Sequence, residues 1–302
     1  MASPNTPTAN TPTAAPARHA GATLALLVAV LGMGLSAIFI RWANAPGAVS
    51  GFYRMLIAAG LMAVPFAAEA RRRPLRSAPA IGLAALAGLL FAGDLAFWNT
   101  SVLMTSAANA TFLGNTASVW VGLGAWLLFR EKLRPAYWLG LAVALAGAAA
   151  LLGGDFLSGA STGLGRVFAF IAGLFYAGFF LATQRARAGL SALASWWISA
   201  VVSALGLLAA GLLLGQAFTG YPAFTYLNLI AAALITQLGG YLLVNYALGH
   251  LPAPIVSATL LLQPIVTTIA GLILLGEWPT PLGLLGGLLL LAGVWIVNRF
   301  GR

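Results

Sequence analysis

Charge is what this sequence has least of. Only 7% of its 302 residues are charged, five of them acidic, against about 25% in a soluble domain. Such a chain cannot cover a water-facing surface, so soluble enzymes and nucleic-acid-binding modules are excluded together. Cysteine is absent, which removes a disulfide framework, a thiolate metal site and a cysteine nucleophile. His19 and His250 supply all the imidazole, one in an N-terminal tail and one beside a loop, so neither a metal nor any other cofactor is expected. Also missing is the polar/apolar alternation on which a transmembrane β-barrel depends.

What the chain has instead is long, unbroken apolar runs rich in Leu, Ala and Gly. Hydrophobic residues make up 61% and the mean hydropathy is +0.96. Lipid must be the solvent, and the expected fold class is all-α and integral to the membrane. Ten helices of about 21 residues would use roughly 210 positions, leaving short loops. The expected spans are 23–43, 48–68, 79–101, 106–128, 136–153, 165–184, 191–214, 224–247, 253–275 and 281–299. Residues 1–20, rich in Pro, Thr and Ala, read as a disordered tail. They lack the basic segment leading at once into a short apolar run that marks a signal peptide.

The net charge of +10 is distributed by side rather than gathered for a nucleic acid. Ten spans put both termini on one face. Assigning that face to the cytoplasm collects Arg18, Arg71, Arg72, Arg73, Arg76, Arg130, Lys132, Arg134, Arg185, Arg187, Arg299 and Arg302 there. The opposite loops, near 44–47, 102–105, 154–164, 215–223 and 276–280, contain no Lys or Arg. This asymmetry is the positive-inside pattern.

The two halves match. A shift of 146 positions aligns Gly93 with Gly239, Asn99 with Asn245, Glu131 with Glu277, Pro135 with Pro281, Gly140 with Gly286 and Gly147 with Gly293, without a gap. The repeats are expected to be 21–153 and 160–299. Each has five helices, so the second must enter the membrane inverted. The loops agree: Glu131 sits among Arg130, Lys132 and Arg134, whereas Glu277 lies between Gly276 and Trp278 with no basic neighbour. Two inverted five-helix halves around a central cavity can rock to alternate access, as in many secondary transporters. The repeated Glu-x-x-x-Pro reads as structural, a carboxylate ahead of a helix whose first turn tolerates proline. The glycine pair that follows reads as a small face for close helix packing.

Polar groups at membrane depth are the functional candidates. In the third span Phe91, Asp94, Leu95, Trp98 and Asn99 share one helical face; in the eighth, Gln237, Gly240, Tyr241, Val244 and Asn245 share the equivalent one. Either these faces line the cavity, holding a zwitterion through amides, phenols and indoles, or the amides cross-link helices while Trp98 and Tyr241 anchor at the interface. Asn245→Leu is expected to abolish transport in the first case. Arg54 and Asp94 both sit roughly 10 Å below the outer surface, where they would form an ion pair or bind a substrate's carboxylate and ammonium. Their repeat mates, Ala200 and Gly240, are uncharged. Gln184, Gln263, Tyr53, Tyr176 and Trp197 are weaker candidates. Gln263-Pro264 should break the ninth span, and Ser118 at the matching place predicts no symmetric break in the fourth. Arg41 is expected to snorkel to headgroups, and His250 to be a loop histidine.

The inverted halves, each with a loop Glu and a Pro before a Gly-rich last helix, resemble the EamA branch of the drug/metabolite transporter superfamily. The likeness covers about residues 21–299 and rests on Glu131, Pro135, Gly140 and Gly147 with Glu277, Pro281, Gly286 and Gly293. Trp98-Asn99 and the Gln237, Tyr241, Asn245 face make the chain most similar to YddG-type exporters. That resemblance implies export of neutral and aromatic amino acids and related small molecules across a bacterial inner membrane. The alternative is export of other metabolites or drugs, with Asp94 as the residue for any proton coupling. Small multidrug-resistance relatives carry protons on a Glu in the first span; this first span has no acidic residue. One ten-helix chain can enclose its own cavity, so the monomer is sufficient and an oligomer remains open.

The orientation has a direct test, since the chain has no cysteine of its own. Thr219→Cys should react with a membrane-impermeant maleimide on intact spheroplasts, and Arg73→Cys only after lysis. The reverse pattern would invert the assignment.

Overall fold

The computed structural model describes residues 14–105, 107–157, 163–275 and 280–301, which are helical apart from turns and short connections. Nine helices among them are long and apolar enough to cross a membrane, and a shorter apolar helix, Pro135–Leu151, supplies the tenth crossing. The second, third, sixth, seventh and tenth spans are single helices, Gly47–Arg72, Ala78–Met104, Gly163–Ala186, Ala192–Leu213 and Pro281–Phe300. The fifth is Pro135–Leu157. The first is made of Ala14–Gly34 and Ser36–Ala43, the fourth of Ala107–Asn115 and Ala117–Phe129, and the ninth of Ala253–Leu260 and Gln263–Leu275. The eighth runs through Ala223–Ala231, a π-helical segment Ala232–Tyr241 and Leu242–Leu248.

Helix starts follow local chemistry. Ser77, Ser191 and Thr280 accept the amides of Ala80, Ala194 and Gly283, and a proline sits in the first turn after Ser77 and after Thr280. The first helix begins at Ala14, inside the segment read from sequence as a tail. Its alanine-rich start favours helix, and Pro16 falls in the first turn, where its missing amide costs nothing. The rest of that segment, like Glu277, lies outside the described residues.

Packing between spans follows one exchange rule. The fifth packs on the tenth and the second on the seventh, pairs that map onto themselves when the halves are swapped. The third packs on the sixth, and the first on the eighth, pairs that map onto each other. The fifth and tenth spans cross through their glycines. A Cβ on Gly140 would lie 2.9 Å from the Gly293 carbonyl oxygen, and one on Gly293 2.6 Å from that of Gly140. Gly147 and Gly286 oppose each other in the same reciprocal way, at 2.7 Å each. An early glycine of one helix thus faces a late glycine of the other, so the two run antiparallel and the halves are inverted.

The fourth span corrects one expectation. It breaks at Thr116, 146 positions before Leu262 in the ninth, so the breaks are matched after all. Different chemistry produces them. In the ninth, Pro264 has no amide to return to Leu260. In the fourth, the Thr116 hydroxyl donates to the Leu113 carbonyl at 2.6 Å, alongside its own amide at 3.2 Å, tightening the turn as a proline would. At the matched place the Leu262 amide likewise bonds three residues back, to the Thr259 carbonyl at 3.1 Å.

At one end of the bundle, Gln184 donates to Glu131 Oε1 at 3.0 Å and accepts the Ala253 amide at 2.8 Å. The loop carboxylate is thereby tied to the start of the ninth span. Arg187 donates to the carbonyls of Asn245 and Leu190. Burial holds its guanidinium below its usual pKa, while Glu69 and Tyr246 push the other way. Its repeat mate, 146 positions earlier, is Arg41, which is exposed and reaches the Thr105 carbonyl at 3.3 Å. His250 donates from Nδ1 to the Tyr246 carbonyl, 2.9 Å away, in the turn after the eighth span.

The glycine crossing generates a stability prediction. Gly293→Ala should destabilise the protein by about 1–3 kcal/mol, because backbone on the facing helix must move. Gly82→Ala, with nothing within 4 Å of the added carbon, should leave thermal unfolding in detergent unchanged or raise it. Equal midpoints for the two variants would show that the seam has slack.

Candidate functional site

Three helix breaks and the π-helical segment converge on one narrow cavity of about 40 Å³. The first span contributes Met33 and Ser36, flanking its break at Leu35; the fourth contributes Thr111, Gly114 and Asn115, ending at its break; the ninth contributes Gln263, just past its own. Arg54 comes from the second span, Asp94, Leu95 and Trp98 from the third, Tyr176 from the sixth and Tyr241 from the eighth. Irregular backbone at membrane depth is tolerated where it is covered by protein or borders such a cavity. The freed Gly34 carbonyl is met by the Thr267 hydroxyl at 2.7 Å.

Arg54 is fully buried. Its Nη1 donates to Asn99 Oδ1 at 3.2 Å and its Nη2 to Ser36 Oγ at 3.1 Å. Asn99 in turn donates to the Gly47 carbonyl at 3.0 Å, where the second span begins. One guanidinium therefore ties the first three spans together. Asp94 borders the same cavity but is not its hydrogen-bond partner: the two terminal nitrogens of Arg54 go elsewhere, and no ion pair joins the two side chains among the described residues. Both charges are left facing a shared space.

Trp98, Tyr176 and Tyr241 give the cavity its aromatic lining, and buried phenylalanines back it. Tyr241 packs on Phe91 at 4.6 Å between centroids, Phe91 stacks on Phe179 at 4.5 Å, and Tyr176 meets Phe180 at 4.5 Å. Trp98 lies against Gly114, where an added Cβ would stand 3.1 Å from the indole. The site thus has an apolar aromatic side and a polar side built at the breaks.

Of the residues singled out from sequence, Arg54, Asp94, Trp98 and Tyr241 meet in this cavity. Asn99 sits behind it, engaged with Arg54. Gln237 and Asn245 do not line it: both are fully buried, and neither amide has a hydrogen-bond partner. The π-helical segment explains the difference. Its Leu242 amide bonds five residues back to Gln237, so the wider turn rotates residues on either side out of the 3.6-residue register. The expected loss of transport in Asn245→Leu therefore has no support from the cavity's geometry.

Among the weaker candidates, Tyr176 and Gln263 line the cavity. Gln184 belongs to the junction with Glu131 and Ala253, Tyr53 donates to the Phe218 carbonyl at 2.6 Å, and Trp197 donates to the Ala59 carbonyl at 3.0 Å. Ser36, Thr111 and Asn115 were missed. Asn115 and Thr116 carry the missed signal, since polar residues able to bond their own backbone, inside an apolar run, mark a possible interruption.

With this geometry in place, comparison with known proteins is informative. A probable terminal-alkyne amino-acid exporter of Streptantibioticus cattleyicolor is 29% identical over 254 residues, covering 82% of each chain. A solved crystal structure superposes with a TM-score of 0.73 at 16% identity, covering 94% of this chain and 99% of the other, which is a likeness of fold. The family model of EamA-like transporters matches twice, over residues 20–153 and 163–299. Two tandem matches over nearly the whole membrane-embedded length leave one assignment: the chain belongs to the EamA-like transporter family.

Proposed function

We propose that the protein exports neutral and aromatic amino acids and related small metabolites across a bacterial inner membrane, by alternating access of the central cavity. The observation that carries this reading is a buried guanidinium and a buried carboxyl that border one cavity without bonding each other, beside aromatic rings. A zwitterion brings the complement of each charge, and an apolar or aromatic side chain suits the rings. A charged side chain would find no further counter-charge among the lining residues. The name of the Streptantibioticus relative, an amino-acid exporter, supports the same substrate class.

In this reading the five-helix repeats, 21–153 and 160–299, rock against each other, both termini lie in the cytoplasm, and one chain suffices. Trp98 and Tyr241 form the substrate's apolar seat. Asn99 acts through Arg54 as a positioning residue. Transport is facilitative and follows the substrate gradient. A second reading, export coupled to protons, has one specific support: Asp94 is the sole acidic side chain among the residues lining the cavity.

Reconstituted in proteoliposomes, the purified protein should take up labelled phenylalanine, threonine and methionine saturably without a pH gradient. Tyr241→Ala should lower phenylalanine transport by about tenfold or more, the scale expected for an aromatic seat. Uptake that appears only with a gradient, and loses that dependence in Asp94→Asn, would favour proton coupling. No uptake of any of the three would turn the search toward other metabolites or drugs.

A further inference from the structure

The cavity carries a set of polar atoms that the fold leaves unused. Among its lining residues, Arg54 Nε, Asn115 Nδ2, Gln263 Nε2 and the Thr111 hydroxyl are buried without a hydrogen-bond partner. The three nitrogens can only donate, and the hydroxyl can. Arg54, Thr111 and Asn115 are each at least nine-tenths buried, and buried donors are normally paired. Their positions are ordered too: Asn115 directly precedes the break of the fourth span, and Gln263 directly follows that of the ninth. The matched breaks of the two halves thus deliver an amide each to one cavity.

The remaining charge is Asp94, an acceptor, from the third span. Unused donors therefore come from the second, fourth and ninth spans, and the carboxylate from the third. A ligand that satisfies this arrangement has an anionic acceptor with several lone pairs at one end and a donor cation at the other.

We propose that Asn115 and Gln263, with Arg54 Nε, form a carboxylate-binding subsite at the paired helix breaks, and that Asp94 receives the ammonium of the same ligand. The inference rests on the amino-acid reading above and deepens it: the site recognises the free α-amino and α-carboxylate groups together, so amides, amines and des-amino acids are poor ligands. Asn115 and Gln263 are specificity-determining residues in this arrangement. Because one comes from each half, substrate carboxylate bridges the two repeats across the pseudo-twofold axis.

The test is a panel of phenylalanine, phenylalaninamide, phenethylamine and 3-phenylpropionate. Binding to the detergent-purified protein is read by ligand-dependent thermal shift, and transport of labelled phenylalanine is read separately in proteoliposomes. The wild-type protein should prefer phenylalanine over each of the other three by about tenfold or more, the size expected for losing charge-assisted hydrogen bonds. Gln263→Met and Asn115→Asp should abolish the preference for phenylalanine over phenylalaninamide. Both should keep the preference over 3-phenylpropionate; Asp94→Asn should do the opposite. Asn115→Asp is close to isosteric, so its own melting temperature separates a lost subsite from a lost fold. Carboxylate-dependent binding without phenylalanine transport would reject the exporter reading and keep the subsite. Transport with binding indifferent to the carboxylate, or unchanged preferences in folded Gln263→Met and Asn115→Asp, would overturn the subsite and keep the exporter. Absence of binding by all four compounds would overturn it as well.

Discussion

In hydrocarbon there is no water to satisfy a backbone amide or carbonyl, and every other feature of this protein is arranged around that fact. It forces the chain into helices, and it makes each departure from helical hydrogen bonding a commitment to some other partner. The departures at Leu35, Thr116 and Leu261–Leu262, and the π-helical stretch Ala232–Tyr241, border one cavity rather than being scattered over the lipid-facing surface. The fifth and tenth spans, unbroken and glycine-rich, take no part in the cavity and instead form a seam. Rigid scaffold and adaptable site are thus separated by span.

Arg54 illustrates how the site is held. A fully desolvated guanidinium is expensive unless its donors are used, and two of its nitrogens are spent on Ser36 and Asn99. Those bonds fix the plane of the guanidinium and leave its third nitrogen without a partner. Had Arg54 and Asp94 formed a direct pair, each would have cancelled the field the other presents, and the cavity would hold no net preference for an ionised ligand. Routing Arg54 to neutral partners preserves both charges for use.

Much of this was legible in the sequence. The spans follow from apolar run length, the inversion from the charges around Glu131 and Glu277 combined with an odd helix count, and the seam from glycines recurring at 140, 147, 286 and 293. Arg54, Asp94 and Trp98 were found because they sit on regular helices, where spacing reports direction. Gln237 and Asn245 lie off the cavity lining for the corresponding reason: no residue type announces a π-helical turn, and nearly one extra residue per turn is enough to rotate a face away. The break at Thr116 escaped because a hydroxyl bonding its own backbone does a proline's work without a proline's signature. Asn115 and Gln263 become interpretable only once both breaks are located.

The reciprocal glycines have an implication for how such a molecule can be assembled. Because Gly140 meets Gly293 while Gly147 meets Gly286, the surface each half offers at the seam is self-complementary: a half-length chain could mate with a second copy of itself. It could do so only if the copy sat in the bilayer the other way up, which charge asymmetry in loops normally prevents. Joining the halves in one chain, with basic residues around Glu131 and none around Glu277, fixes each orientation separately. It also releases the halves from having to be identical, and the consequence is visible at Arg54 and Asp94, whose counterparts are Ala200 and Gly240. A symmetric scaffold can then hold a polar, directional site.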